Sequence, residues 1–190
     1  MFSLKLPKKQ YITIEEFEEL RKETDQQLEY IDGVVYMSPS PSTKHQRISM
    51  KLSAFLFNLL AGKDCEVFAA PYDIELVDEE SEEKKIIIPD LSIICDKTGF
   101  IEQKYIGVPE VIIEIISPSN QSHDLIFKTN LYQKFRVKEY WIINPILNNI
   151  MVYSLGEDNQ YRLIENEKQG MVKSSIITGF EVDVEALFKQ

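Results

Sequence analysis

The chain predicts an α/β (α+β) domain in which one mixed central β-sheet is flanked by helices. Three observations carry that reading. Groups of strand-like runs are separated by two longer helical stretches, a pattern that suits one layered α/β or α+β domain. Asp32-Gly33 joins two short β-prone runs and marks an N-terminal hairpin. The run Val111-Ile112-Ile113-Glu114-Ile115-Ile116 is apolar on both faces, as expected of a strand at the covered centre of a sheet.

Taken in order, Thr13-Ile14-Glu15-Glu16 is a capping box, so a short helix should start there and run to about residue 23. Strands Leu28–Ile31 and Val34–Met37 flank the Asp32-Gly33 turn. The Ser38-Pro39-Ser40-Pro41-Ser42 loop ends in an N-cap, and a helix over 43–61 closes at Gly62. Strands follow at 65–68 and 72–77, then the acidic run Asp78-Glu79-Glu80-Ser81-Glu82-Glu83, which reads as a solvated hairpin loop because like charges resist packing. A single strand is expected over 86–95 and another over 111–116, with a helix over 121–135 behind it. The remainder is mainly antiparallel strands, at 139–143, 150–154 and 161–164, and a short helix Val184–Phe188. No repeat, low-complexity stretch or linker interrupts the chain, so residues 1–190 are expected to form one domain.

With 44% hydrophobic and 27% charged residues in 190, a core can form without disulfides or structural metal. Cys65 and Cys95 have no ligand-like spacing and read as reduced thiols of a cytoplasmic protein. The first ten residues do not form a signal peptide, and no apolar run could span a bilayer, so no membrane partner is expected. The net charge of -10 opposes a nucleic-acid function, since phosphate binding rests on Lys and Arg. Its distribution is uneven, however. Residues 41–63 contain no Asp or Glu and carry Lys44, Arg47, Lys51 and Lys63.

Charges inside apolar patterns are the informative residues. Glu114 lies between Ile112 and Ile116 on a covered face, where a carboxylate must be paired, protonated or bound to a metal, unless the strand end opens to solvent. Lys128 falls within the apolar stripe of Leu125, Leu131, Tyr132 and Phe135, with Asp124 one turn earlier. It is either aimed at a site beside the sheet or snorkels past the core in a pair with Asp124. Pro89-Asp90 interrupts a continuous apolar run, and proline is awkward in a central strand, which points to an irregularity presenting a carboxylate. His45 begins the apolar side of its helix, as a core or capping residue or as one turned to a site. Lys44, Arg47 and Lys51 beside it form either a solvated face or a phosphate track. With only His45 and His123, a multi-histidine zinc site is not expected, whereas carboxylates with lysine suit Mg²⁺, a hard ion that prefers oxygen.

In this order, Glu29-Tyr30-Ile31-Asp32-Gly33, His45 in a helix, Pro89-Asp90-Leu91, Glu114-Ile115-Ile116-Ser117-Pro118-Ser119, Asp124-x-x-x-Lys128-x-x-x-Tyr132 and Glu139-Tyr140-Trp141-Ile142-Ile143-Asn144-Pro145 resemble the Uma-two family of restriction-endonuclease-like proteins, within the PD-(D/E)XK nuclease superfamily. The resemblance covers nearly the whole chain. It implies a restriction-endonuclease-like sheet and a Mg²⁺-dependent endonuclease (Mn²⁺ as substitute) hydrolysing phosphodiester bonds of DNA, with RNA open. Asp90 and Glu114 would be metal ligands, Lys128 would position or activate the attacking water, and Glu29 would be the acidic residue of the N-terminal region. The superfamily's lysine normally stands two residues after the glutamate. Ile116 is there instead, and Lys128 on the next helix takes its place. His45, Lys44, Arg47, Lys51, Ser117 and Asp124 complete the expected site-lining or nucleic-acid-binding set. Nucleic-acid binding should be weak and salt-sensitive, a homodimer is compatible, and Lys128→Ala should cost no more than about 1–2 kcal/mol. The alternative is a non-catalytic nuclease-fold module that binds or assembles protein partners.

Overall fold

A computed structural model describes residues 11–37, 40–77, 83–117 and 123–189, with side chains from residue 126 onward in the last stretch. The elements in order are α1 (Ile14–Lys22), β1 (Leu28–Ile31), β2 (Val34–Met37), α2 (Thr43–Leu60), β3 (Glu66–Ala69), β4 (Asp73–Val77), β5 (Lys84–Ile87), β6 (Leu91–Ile94), β7 (Lys104–Ile106), β8 (Val111–Ile115), α3 (Thr129–Lys134), β9 (Glu139–Asn144), β10 (Asn149–Leu155), β11 (Tyr161–Glu167), β12 (Met171–Lys173), β13 (Glu181–Asp183) and α4 (Val184–Phe188). The fold class is the expected one, α+β with mixed sheets flanked by helices. The capping box is formed: Thr13 accepts from the Glu16 N–H, and the Glu16 side chain accepts from the Thr13 N–H.

The strands form a six-stranded sheet, β11-β10-β9-β8-β6-β3, a five-stranded sheet, β2-β1-β5-β4-β7, and a small pair, β12-β13. Each large sheet is mixed, with one parallel pair: β8–β9 in the first and β4–β7 in the second. On one face of the six-stranded sheet, Ile48, Leu52, Leu56 and Leu60 of α2 pack against Leu91, Ile93, Ile113, Ile115 and Trp141. The opposite face, with Ile112, Ile116, Tyr140 and Ile142, meets Leu131 and Tyr132 of α3 and Ile31, Ile74 and Ile87 of the five-stranded sheet. Phe17 of α1 packs with Leu28 and Ile86 on the far side of the five-stranded sheet. Alternation along β1 therefore turns Glu29 and Ile31 inward, toward the space between the sheets.

Several expectations change. The strand predicted over 86–95 is two strands in two different sheets, so the single central sheet becomes two: β5 pairs with β1 and β4, whereas β6 pairs with β3 and β8. The chain crosses between sheets at Ile88-Pro89-Asp90, where Pro89 has no N–H to give to a ladder. Cys65 and Cys95, expected as reduced thiols, form a disulfide. The register Glu66↔Ile94 brings the two cysteines opposite one another at the next position. The helix expected over 121–135 begins among the described residues as a π-helical turn, His123–Lys128, before α3. Lys128, Leu131, Tyr132 and Phe135 of the expected stripe are buried, and the Leu125 side chain lies outside the described residues. Strands β7, β12 and β13 have three residues each, too few for alternation to show in the sequence. The acidic segment 78–82 joins an antiparallel pair, Val77↔Lys84, but itself lies outside the described residues.

Candidate functional site

The parallel pair β8–β9 and the antiparallel neighbour β6 create the frame of the site. The β6–β8 ladder runs Ile93↔Val111, Ser92↔Ile112, Leu91↔Ile113, so its next rung sets Asp90 across from Glu114. That rung is not made by the backbone. Instead, Asp90 Oδ2 accepts from the Ile115 N–H at 2.7 Å. The same oxygen lies 3.1 Å from His45 Nε2 in the first turn of α2. Ser42 caps that turn by accepting from the His45 N–H, which fixes where the imidazole starts.

Glu114 projects from β8 into the space between the sheets and is 4% exposed. Its Oε1 accepts from Lys128 Nζ at 2.8 Å and from the Tyr132 hydroxyl at 2.7 Å. The same ammonium reaches Glu29 Oε1 at 3.3 Å, and that oxygen also accepts from the Ile88 N–H at 2.9 Å. Glu29, Glu114 and Lys128 are all buried. Charges this far from water persist only when paired, and each missing partner costs several kcal/mol. Lys128 therefore does not snorkel to solvent; its ammonium is spent on two carboxylates from different sheets. Burial, then the Glu114 carboxylate, pushes the Tyr132 phenol well above its ordinary range, so it remains a protonated donor.

Two groupings result, Asp90 with His45 and Glu29–Lys128–Glu114 with Tyr132, and short stretches of backbone join them. Ile88, which holds Glu29, is two residues before Asp90, and Ile115, which holds Asp90, follows Glu114. The structure thus brings together Glu29, His45, Asp90, Glu114 and Lys128. Ser117 follows β8 and is half-buried. The Asp124 side chain lies outside the described residues. Of the basic stripe, Lys44 donates to the Pro145 carbonyl and to Asn148 Oδ1, and Lys51 donates to the carbonyls of Ala186, Leu187 and Lys189. Both are committed to the C-terminal half of the chain, while Arg47 is exposed. Sequence reasoning gave Tyr132 no role. The i,i+4 spacing from Lys128, which puts both residues on one helix face, is the signal that could have found it.

Among the described residues, no group of three His, Cys, Asp or Glu side chains is placed to hold a metal ion. The donors that are present fit a magnesium ion in kind. Asp90 and Glu114 offer carboxylate oxygens, the Asp90 side chain is 20% exposed, and its Oδ1 has no partner among the described residues. Mg²⁺ is commonly held by one or two carboxylates with the remaining positions left to water and substrate phosphate.

This architecture defines the class. The fold matches a crystal structure described as "a putative nuclease belonging to DUF820 from Anabaena variabilis ATCC 29413", with a TM-score of 0.75 over 93% of this chain and 97% of that one, at 21% identity. At that identity the likeness is one of fold: a restriction-endonuclease-like domain. The chain belongs to the Uma2 family, described as "Putative restriction endonuclease", which matches residues 14–185. Two relatives from Synechocystis sp. (strain ATCC 27184 / PCC 6803 / Kazusa) bear only the names "Uncharacterized protein slr1290" and "Uncharacterized protein sll1609". The first is 28% identical over 172 residues, covering 90% of this chain and 88% of the relative. The second is 23% identical over 157 residues, covering 81% and 86%.

Proposed function

We propose that this protein is a Mg²⁺-dependent endonuclease that hydrolyses phosphodiester bonds of DNA. The observation that carries the reading is the Lys128 ammonium, held between Glu114 and Glu29, with Asp90 leading into the strand next to Glu114's. A buried carboxylate–lysine set of this kind has the components of a PD-(D/E)XK site, with the lysine on the helix after β8. Asp90 and Glu114 would hold the ion, and the family description supports a nuclease. The ion, when bound, supplies Lewis-acid polarisation of the scissile phosphate and lowers the pKa of water. The chain's own residues do the rest. Lys128 orients the attacking water and offsets charge that grows on the phosphoryl oxygens. Glu29 holds the ammonium in place from the opposite sheet, and His45 fixes the Asp90 carboxylate.

The test is cleavage of supercoiled plasmid, single-stranded DNA and RNA by the purified chain with Mg²⁺ or Mn²⁺, against EDTA. Asp90→Asn and Glu114→Gln should each lower the rate by at least about 10²-fold, the scale of removing one preorganised electrostatic group. Metal-independent cleavage, or variants as active as wild type, would sink the mechanism. RNA cut in preference to DNA would change the substrate but keep the site. A wild type that neither cleaves nor binds a divalent ion leaves a nuclease-fold binding module, which the net charge of -10 suits better than DNA.

A further inference from the structure

Tyr132 is fully buried on α3, and its ring packs edge-on against Tyr140 with centroids 4.9 Å apart. A tyrosine in that position needs only its ring to fill the core. Its hydroxyl, however, makes a 2.7 Å hydrogen bond to Glu114 Oε1, the oxygen that also receives Lys128. Lys128 and Tyr132 are one turn apart, so a single helix face delivers both donors to one carboxylate oxygen. Two donors at fixed positions define the plane of the carboxylate as well as its location. Removing one of them takes away one of the contacts that hold the carboxylate's orientation.

We propose that Tyr132 is a positioning residue, its hydroxyl fixing the Glu114 carboxylate in the orientation that takes a divalent ion together with Asp90. This rests on the reading of Asp90 and Glu114 as ion ligands. Outer groups that hydrogen-bond a ligating side chain typically change metal affinity by about 10–100-fold when removed. The ring itself is not at issue, because Phe at 132 keeps the contact with Tyr140.

Tyr161 provides the matched control. Its hydroxyl donates to the Val137 carbonyl at 2.8 Å, far from Glu114 in role but equal in kind. Mn²⁺ is titrated calorimetrically into the full chain as wild type, Tyr132→Phe and Tyr161→Phe, with thermal melts of each. Tyr132→Phe should bind Mn²⁺ about 10–100-fold more weakly while Tyr161→Phe binds as wild type does. The Mn²⁺ EPR line shape should differ from wild type in Tyr132→Phe alone. Equal affinity in Tyr132→Phe and wild type overturns the proposal, and so does an equal loss in both variants, which would be general loosening of the core. A Tyr132→Phe chain that does not fold beside a folded Tyr161→Phe makes the hydroxyl structural and overturns it too. If wild type binds no Mn²⁺, the ion-ligand reading falls and takes this one with it, an outcome distinct from failure at Tyr132 alone.

Discussion

Without the Lys128 ammonium, Glu29 and Glu114 would face each other in a space with little water. Both are 4% exposed, so each would keep the cost of a buried charge after losing its counter-charge. Lys128→Ala should therefore lower the unfolding free energy by about 3–5 kcal/mol, the range for breaking a buried pair from one side. This replaces the smaller cost expected from a lysine merely near a cavity. Urea unfolding measures it, and added Mn²⁺ should return part of the loss if the carboxylates hold the ion. A loss below about 1 kcal/mol, as for an exposed pair, would show that the carboxylates are hydrated. Glu114 and Lys128 were legible in the sequence because each breaks an apolar pattern. Glu29 was not, since a four-residue strand is too short for one charge to stand out against a pattern, and only the family resemblance pointed to it. Tyr132 was hidden for the opposite reason: a tyrosine in an apolar stripe looks like core, and its ring is core.

At the scale of elements, α2 separates two uses of basic residues. Lys51 donates to three carbonyls at the end of α4, a place where cations also complement the helix dipole. Lys51→Gln should lower stability by about 0.5–1.5 kcal/mol, read as a lower melting temperature, with little change in nucleic-acid binding. Arg47 is the exposed member of the stripe, and Arg47→Gln should weaken binding and flatten its salt dependence by about one counterion. Titrations of labelled DNA at several salt concentrations separate the two. A slope changed by Lys51→Gln and untouched by Arg47→Gln would reverse the assignment. The crossing at Ile88-Pro89-Asp90 belongs to this scale as well. Proline signalled the interruption, yet nothing in a run of isoleucines says that its two halves join different sheets. That depends on which distant strands each half pairs with, and pairing partners are not encoded locally.

Across the whole molecule, the buried tyrosines give a shared response to alkali. Burial holds the Tyr105 phenol up at about 12 and also pushes Tyr132 and Tyr161 well above their ordinary value. They sit in β7, α3 and β11, and all three belong to or pack against the core between the two large sheets. The unfolded chain releases each phenolic proton near the ordinary value of about 10, whereas the folded chain retains it. Folding stability from these groups is thus fully present below about pH 10 and is lost as pH rises toward the folded values, by about 1.4 kcal/mol per unit for each tyrosine. Urea unfolding between pH 9 and 11 should show this decline. A flat profile would mean that the phenols ionise without unfolding.

The pairing of Glu29 with Lys128 spans 99 residues, from the first hairpin to the helix behind β8. In a chain made from its N-terminus, the three carboxylates of Glu29, Asp90 and Glu114 therefore emerge before the cation that gathers two of them. A growing chain can bring the hairpin and the later strands out of the ribosome, but not the finished cluster. The cluster that ties the two sheets together can therefore close only after about two-thirds of the 190 residues have been made, so the order of the residues itself delays that tie until both sheets' carboxylates are in hand.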